Sequence, residues 1–196
     1  MRVLLNLTGD GSDLTVPTTV SEQVDYDSPY LRITRTIKCM PSGEQATFYV
    51  RHEADVAVCV PVTADGEIVL VQEYRHGPAK WLYEIPGGNV DRGETACEAV
   101  AREVLEETGF SGEVKHLCST WISAYSTAQK HIYIMWQARQ TAAPTVAQGE
   151  LFQVVRVSLE EFRVLVGSGQ LTDLDAGLAS LNVLRDAKTA LESPTC

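Results

Sequence analysis

Hydrophobic residues in the first half of the chain recur with the spacing of β-strands. Apolar and polar positions alternate in residues 31–38 and 46–51, and the turn-forming triplet Pro41-Ser42-Gly43 separates the two segments. This alternation predicts a β-hairpin. Residues 56–62 are continuously apolar, which indicates a buried strand, and a further strand is predicted at 68–74. Residues 1–25 show no pattern that predicts an element.

The pattern changes to that of an amphipathic helix over residues 95–108. Thr95 followed three positions later by Glu98 forms a capping box, and Gly109 before apolar Phe110 is typical of a helix C-terminus. Further along the chain the same reasoning predicts strands at 131–138 and 151–157, a surface loop at 140–149, a short helix from Ser158 and Glu161 to near Gly167, and a longer helix at 172–191. The succession of strands, helix, strands and helices predicts a mixed α+β fold.

One face of the helix at 95–108 is acidic. At about 100° per residue, Glu103, Glu106 and Glu107 share an arc of roughly 100° beside the apolar face. Such a stripe is usually a solvated surface, and like charges at this spacing cost only about 0.2–0.5 kcal/mol per pair. Taken alone, the glutamates therefore favour an ordinary surface.

The segment before the helix changes this interpretation. It reads Glu84-Ile85-Pro86-Gly87-Gly88, a turn in which glycine allows the backbone to approach a ligand closely. A backbone carbonyl from this turn and carboxylates from the helix would form a hard oxygen site of the kind that Mg²⁺ prefers. The two segments together predict a metal site.

Charge and composition exclude several classes of function. The chain has 16 basic and 26 acidic residues and a formal charge of −10, which argues against general nucleic-acid binding. The apolar run at 56–62 is far shorter than the roughly 20 residues of a membrane helix, and the N-terminal segment is not expected to be a secretory signal. Five cysteines without a C-x-x-C pair indicate free thiols in a reducing compartment, so we expect a cytoplasmic protein.

Residues 88–110 read G-x5-E-x7-R-E-V-x-E-E-x-G-F, which resembles the Nudix box of the Nudix hydrolases at every specified position. Seven fixed residue types at about 7% usage match one window by accident on the order of 10⁻⁸ of the time. The matching residues are Gly88, Glu94, Arg102, Glu103, Val104, Glu106, Glu107, Gly109 and Phe110.

This resemblance implies the Nudix fold, an α/β/α sandwich with a mixed sheet, here with additional N-terminal antiparallel strands. Residues 1–50 would form a strand element for dimerisation, and residues 51–196 would form the hydrolase domain. Members of the family cut a pyrophosphate bond with Mg²⁺ or Mn²⁺. By position, Glu103 and Glu107 would bind the metal directly, Glu106 would be a further ligand or would activate water, and the carbonyl of Gly87 would be a backbone ligand. Arg102 and Glu94 would brace the loop against the helix.

Residues 69–75 and 84–88 are similar to the branch that hydrolyses ADP-ribose and other nucleoside diphosphate sugars. In that branch the arginine matching Arg75 lies near the diphosphate, and N-terminal strands commonly exchange across a homodimer. A surface ion pair is the alternative for Arg75. Glu84 and Gly88 are, like Arg75, candidates for binding the substrate. Trp81, Tyr125 and Trp121 are candidates for stacking on a base or sugar, although aromatic residues more often belong to a core or its rim.

Two departures from the branch concern the catalytic base. The chain has Ser123-Ala124-Tyr125 where these enzymes typically have Ser-Pro-Gly, and an ungapped alignment places Gln129 at the loop position of a glutamate. A neutral amide cannot accept a proton from water at neutral pH. The base would then be Glu106, a metal-bound hydroxide or a nearby group such as His131. For His131, an ordinary polar residue at the start of a strand is the favoured interpretation.

The resulting hypothesis is Mg²⁺-dependent hydrolysis of a nucleoside diphosphate sugar, with ADP-ribose foremost, to a nucleoside monophosphate and a sugar phosphate. One alternative is a housecleaning nucleoside triphosphate pyrophosphohydrolase, against which the N-terminal strands argue. A second is a Nudix-like module that senses a nucleotide sugar without cutting it. Such modules tend to lose carboxylates of the box, whereas this chain keeps all four glutamates.

Overall fold

The structure is a computed structural model that describes residues 15–145 and 151–185. It divides into two compact units. Among the described residues, the first unit contains 15–53 and Ser123–Thr127, and the second contains Ala54–Ile122, 128–145 and 151–185.

The first unit contains a three-stranded antiparallel sheet of β1 (Thr18–Asp27), β2 (Arg32–Cys39) and β3 (Gln45–His52), in the order β1-β2-β3. Strands β2 and β3 confirm the predicted hairpin, and their tight turn contains Gly43 at φ 87°. Strand β1 was not predicted. All ten of its residues are exposed, so no buried face imposes a regular spacing on its hydrophobic positions.

The second unit contains a seven-stranded sheet with the order β10-β5-β4-β9-β8, in which β6 also pairs with β5 and β7 with β4. Strands β4 and β9 run parallel and the remaining pairs are antiparallel, so the sheet is mixed as predicted. The strands are β4 (Val56–Thr63), β5 (Ile68–Arg75), β6 (Lys80–Glu84), β7 (Gly87–Asn89), β8 (Phe110–Trp121), β9 (Gln129–Gln140) and β10 (Phe152–Val157).

Helices cover both faces of this sheet. Ala57 and Cys59 of β4 share one core with Val100 and Val104 of α1 (Ala96–Thr108). The side chains that alternate with them, among them Val58, share the opposite core with residues of α2 (Leu159–Ser168) and α3 (Leu174–Arg185). Since successive strand residues point to opposite faces, the continuous apolar run of β4 serves both cores. The result confirms the predicted α+β fold with an α/β/α sandwich.

The helix boundaries largely follow the predicted signals. Both capping boxes are present, Thr95 with Glu98 and Ser158 with Glu161. Helix α1 ends at the left-handed Gly109, whereas α2 ends beyond the predicted Gly167. Helix α3 begins at Leu174, two residues later than predicted, and its predicted extension to 191 lies outside the described residues, as do positions 146–149 of the predicted loop.

Three strands of the second unit were not predicted, namely β6, β7 and β8. Strand β7 consists of Gly-Gly-Asn, whose glycines were interpreted only as a turn. Strand β8 contains Gly112 and register shifts against β9, so its side chains do not keep a strict period of two.

Among the described residues, no helix has the length and apolar character needed to cross a bilayer.

Candidate active site

The segment Gly87–Gly88 lies between strand β4 and helix α1. Gly87 pairs with Val58 of β4, and a Cβ atom on Gly87 would collide with the carbonyl oxygen of Ala57. The backbone of β4 therefore leaves room only for glycine at this position.

Each of the two glycines faces a carboxylate of α1. A Cβ atom on Gly88 would lie 2.5–2.9 Å from the carboxylate atoms of Glu103, so this carboxylate occupies the space of the missing side chain. The amide of Gly87 donates a hydrogen bond of 3.0 Å to Oε2 of Glu107. Because residues four apart lie on one helix face, α1 presents both carboxylates to the same short stretch of backbone.

Arg102 connects the segment before α1 to the carboxylates on the helix. Its Nε and Nη2 atoms each donate a 3.0 Å hydrogen bond to Glu94. Its Nη1 atom donates to Glu103 at 2.8 Å and to Glu106 at 3.3 Å, and Nη2 also donates to the carbonyl of Asn89 at 3.3 Å. These bonds connect Glu94 and Asn89, which precede α1, to the helix.

Ionisation of the two carboxylates beside the glycines is unfavourable. Burial raises the pKa of Glu107 to about 8, against which the Gly87 amide acts, and the charges of Glu103, Glu73 and Glu84 raise it further. Burial also raises the pKa of Glu103, although its hydrogen bond with Arg102 opposes the shift. In the absence of a further cation, much of Glu107 is therefore protonated at neutral pH.

The donor set fits a hard divalent cation. Carboxylate oxygens are the ligands that Mg²⁺ and Mn²⁺ prefer, and a cation would offset the cost of ionising both partly buried glutamates. Within the described ranges, no three His, Cys, Asp or Glu side chains already converge as a metal-binding group. Glu103 and Glu106 instead contact Arg102, and Glu107 contacts the amide of Gly87.

A cavity of about 480 Å³ opens beside the same glycines, and its lining includes four of the predicted site residues. Its size is within the range of small-molecule sites. The predicted residues in its wall are Arg75, Glu84, Gly87 and Gly88, and the others are Val56, Val58, Gly77, Pro78, Leu82, Ile85, Thr172 and Asp173.

In the cavity wall Arg75 forms an ion pair, the alternative that the sequence left open. Its guanidinium is bonded through Nε and Nη2 to the buried Glu84 and lies 3.4 Å from Glu73. The hydrogen bond with Glu84 raises the pKa of Arg75, so the guanidinium remains charged. The pairing does not exclude a ligand, because Arg75 and Glu84 both line the cavity.

The aromatic candidates are not brought together in this cavity. Trp81 on β6 is half exposed and makes an edge contact with Tyr74, with ring centroids 6.0 Å apart, and it does not belong to the cavity lining. Trp121 is exposed at the end of β8. Tyr125 belongs to the first unit, where it lines a cavity of about 310 Å³ together with Thr47, Phe48 and Tyr49.

The predicted loop position of Gln129 is wrong. Gln129 is the first residue of β9, which begins two residues before the predicted strand. Its backbone amide donates a 2.8 Å hydrogen bond to Oδ1 of Asp55. His131, the other strand candidate, hydrogen-bonds through Nδ1 to Ser119 at 2.8 Å and lies 3.5 Å from Asp55 through Nε2. It does not line the 480 Å³ cavity.

Sequence reasoning also missed two residues in the cavity wall, Thr172 and Asp173. Both were placed inside the predicted terminal helix, whereas the structure places them just before it. The available signal was a Thr-Asp pair ahead of a helical pattern, which is typical of a helix start. Their distance in sequence from the Nudix-like motif gave no indication of proximity to it.

Comparison with known proteins matches the family that the motif suggests. The sequence profile of the NUDIX domain matches residues 52–176. The chain is 26% identical over 144 residues to the ADP-ribose pyrophosphatase of Bacillus subtilis, covering 71% of this chain and 77% of that protein. It is 27% identical over 165 residues to the CMP-5'-(N-acetyl-N-hydroxy-3-aminopropyl)phosphonate hydrolase of Streptomyces rubellomurinus, covering 83% of this chain and 80% of that protein.

A solved structure described as an ADP compounds hydrolase has the same fold. Its TM-score is 0.78 at 18% sequence identity, and the alignment covers 90% of this chain and 98% of that one.

Proposed function

Because the chain belongs to the NUDIX domain family, we propose that this Nudix hydrolase cuts the pyrophosphate bond of a nucleoside diphosphate sugar, with ADP-ribose as its main substrate. The products are a nucleoside monophosphate and a sugar phosphate. The observation that carries the proposal is the position of Glu103 and Glu107 at Gly87–Gly88, beside a cavity of about 480 Å³ that contains Arg75. The names of the relatives from Bacillus subtilis and Streptomyces rubellomurinus support a substrate built on a nucleotide.

Nudix hydrolases use a divalent metal, and we assign its binding here to Glu103, Glu107, Glu106 and the carbonyl of Gly87, with Mg²⁺ or Mn²⁺ as the ion. The raised pKa of the first two glutamates supports this assignment, since a bound cation favours their ionised forms. When bound, the ion offsets the charge of the diphosphate and makes the attacking water more acidic.

The protein residues around the ion position and bind the reactants. Arg102 and Glu94 fix the segment of Gly87–Gly88 to α1, so that the carboxylates keep one arrangement through the reaction. Arg75 contacts the diphosphate from the cavity wall, and Glu84 orients the guanidinium while Gly88 leaves space for the substrate. Phosphoryl transfer depends mainly on such positioning and electrostatics.

We assign activation of the attacking water to Glu106. Its carboxylate is exposed, and its contact with Arg102 at 3.3 Å leaves acceptor capacity for a proton. His131 is less suited, because both ring nitrogens already face protein groups, Ser119 and Asp55.

The first unit supports a homodimer as the working form, with residues 1–50 as the dimerisation element and 51–196 as the hydrolase domain. Strand β1 lies at an edge of its sheet among the described residues, and its Val20, Val24 and Tyr26 are about half exposed. An edge strand with apolar side chains is suited to pairing with a second copy of the chain.

Tyr125 and Trp81 remain candidates for stacking on the base of the substrate. We also propose a cytoplasmic location, on the basis of the cysteine pattern.

Product analysis tests the proposed reaction. The protein is incubated with Mg²⁺ and, separately, ADP-ribose, ADP-glucose, GDP-mannose, diadenosine polyphosphates and deoxynucleoside triphosphates, and the products are separated by chromatography. We expect AMP and ribose 5-phosphate from ADP-ribose at the highest rate. Pyrophosphate release from the triphosphates alone would instead indicate the housecleaning reaction, and no product from any compound would leave only a sensing role.

A further inference from the structure

The wall of the cavity formed by Thr172 and Asp173 is joined to strand β6 by backbone hydrogen bonds. The amide of Thr172 donates a 3.0 Å hydrogen bond to the carbonyl of Tyr83, and the amide of Tyr83 donates one of 2.9 Å to the carbonyl of Gln170. Because Glu84 of the cavity directly follows Tyr83, these bonds fix Asp173 relative to Arg75 and Glu84 before any ligand binds.

The carboxylate of Asp173 is partly satisfied by the protein. Its Oδ1 atom accepts a hydrogen bond of 2.9 Å from Nζ of Lys130, and its Oδ2 atom accepts one of 3.0 Å from Oγ1 of Thr172. A carboxylate can accept about four hydrogen bonds, so further acceptor sites remain on this residue of the cavity lining. Lys130 is shared with Asp175 at 3.0 Å, and Asp175 does not belong to the cavity lining.

The charges beside Asp173 disfavour a second anionic group in addition to the diphosphate at Arg75. Lys130 contacts two carboxylates, Asp173 and Asp175. A phosphate placed at Asp173 would meet more carboxylates than cations and would be repelled. An uncharged group whose hydroxyls donate hydrogen bonds suits such carboxylates, and the apolar wall of Val56, Val58, Leu82 and Ile85 suits the C–H face of a ring.

We propose that Asp173, held by Lys130 and Thr172, binds hydroxyl groups of a polyhydroxylated ring of the substrate and thereby contributes to substrate specificity. The inference rests on the proposed function and adds a specificity residue from α3's N-terminal flank to it. The shared chemistry is a ring with neighbouring hydroxyls, which the terminal sugar and the ribose of the nucleoside both supply.

The test compares Asp173→Ala and Asp173→Asn with the matched control Asp175→Asn, which removes a carboxylate from the same lysine outside the cavity. Three substrates are used: ADP-ribose, an analogue without hydroxyls on the terminal ring, and an analogue with a 2′,3′-dideoxy nucleoside ribose. We expect Asp173→Ala to raise KM for ADP-ribose about 10-fold or more, as loss of hydrogen bonds to a charged group does, while kcat changes less than about twofold. Asp173→Asn keeps one acceptor oxygen and should have a smaller effect.

The analogue that lacks the contacted hydroxyls should give the same KM with wild type and Asp173→Ala, and this identifies the ring. An equal increase in KM for all three substrates, or the same effect from Asp175→Asn, would overturn the proposal. Thermal unfolding of each variant separates these results from a loss of fold, and Asp173→Asn provides the test if Asp173→Ala does not fold. Failure of the wild-type protein to cut any nucleoside diphosphate sugar would instead refute the proposed function.

Discussion

Carboxylates line both ends of the region around Gly87–Gly88, but the protein compensates their charge differently. On the α1 side, Glu107 is partly buried against the Gly87 amide, and no cationic side chain within residues 15–145 and 151–185 is ion-paired with it. Burial raises its pKa to about 8. On the opposite side, Glu84 is paired with Arg75 and Asp173 with Lys130. A buried carboxylate that lacks a cation gains stability when one binds, whereas a paired carboxylate is already stable. We therefore propose ion binding on the α1 side and recognition of neutral hydroxyl groups at Asp173.

Removing one carboxylate from the α1 side should have the largest effect. We expect Glu107→Gln to lower kcat for ADP-ribose about 10³-fold, because it removes a negative ligand at the reaction centre while keeping the side-chain shape. Steady-state kinetics at saturating Mg²⁺ measures this effect, and circular dichroism checks the fold. The matched control is Glu113→Gln, an exposed glutamate of β8, which should leave the rate unchanged.

Adding a methyl group at Gly88 should have the next largest effect. Gly88→Ala places a Cβ atom 2.5–2.9 Å from the carboxylate of Glu103, so this carboxylate must move. Because displacements of about 1 Å near a reaction centre cost about 10²-fold, we expect a loss of that size in kcat. Gly167→Ala is the control, since a Cβ atom there meets nothing within 4 Å in a helix, and it should stabilise the protein by about 1 kcal/mol. Activity in Gly88→Ala equal to that of Gly167→Ala would contradict the assigned position of Glu103.

The raised pKa of Glu107 also predicts how the free energy of unfolding depends on pH in EDTA. Its folded-state pKa of about 8 lies above its ordinary value of 4.5, so between these values the folded state retains a proton that the unfolded state has released. The stability that this group contributes is complete below pH 4.5 and is lost as pH rises through 8. We expect the free energy of unfolding of wild type to fall by about 1–3 kcal/mol relative to Glu107→Gln between about pH 5 and pH 9. Urea denaturation measures the difference, and a difference independent of pH would refute the buried-charge explanation.

Local sequence patterns were sufficient to predict helix α1 and its acidic face. Thr95, Glu98 and Gly109 mark both ends of α1, and the helical period alone places Glu103 and Glu107 on one face. The contact of Gly88 with Glu103 depends on how α1 packs against β4, so the sequence did not predict it.

Local sequence patterns did not predict the contact between Lys130 and Asp173 on the opposite side. Lys130 and Asp173 come together because β9 and the start of α3 meet in the folded unit, and neither residue belongs to a local pattern. Strand β1 was missed for a related reason, since a strand without a buried face has no hydrophobic period to detect.

The smallest effect is expected at Gln129. Gln129→Glu should not raise the rate, because residue 129 begins β9 and does not belong to the lining of the 480 Å³ cavity. Steady-state kinetics with ADP-ribose measures the change, with Gln153→Glu, on the exposed surface of β10, as the control. A severalfold increase specific to Gln129→Glu would place this side chain near the attacking water and would contradict the assignment of Glu106.

The central claim is that the carboxylates of α1 bind the divalent ion on which hydrolysis depends. The most direct measurement titrates Mg²⁺ into EDTA-treated wild type and Glu107→Gln, following ADP-ribose turnover and thermal stability in the same samples. We predict that wild-type turnover and the melting temperature begin to rise over the same range of Mg²⁺ concentration, and that Glu107→Gln gains neither over that range. Wild-type turnover in EDTA, or full activity of Glu107→Gln at saturating Mg²⁺, would contradict the account.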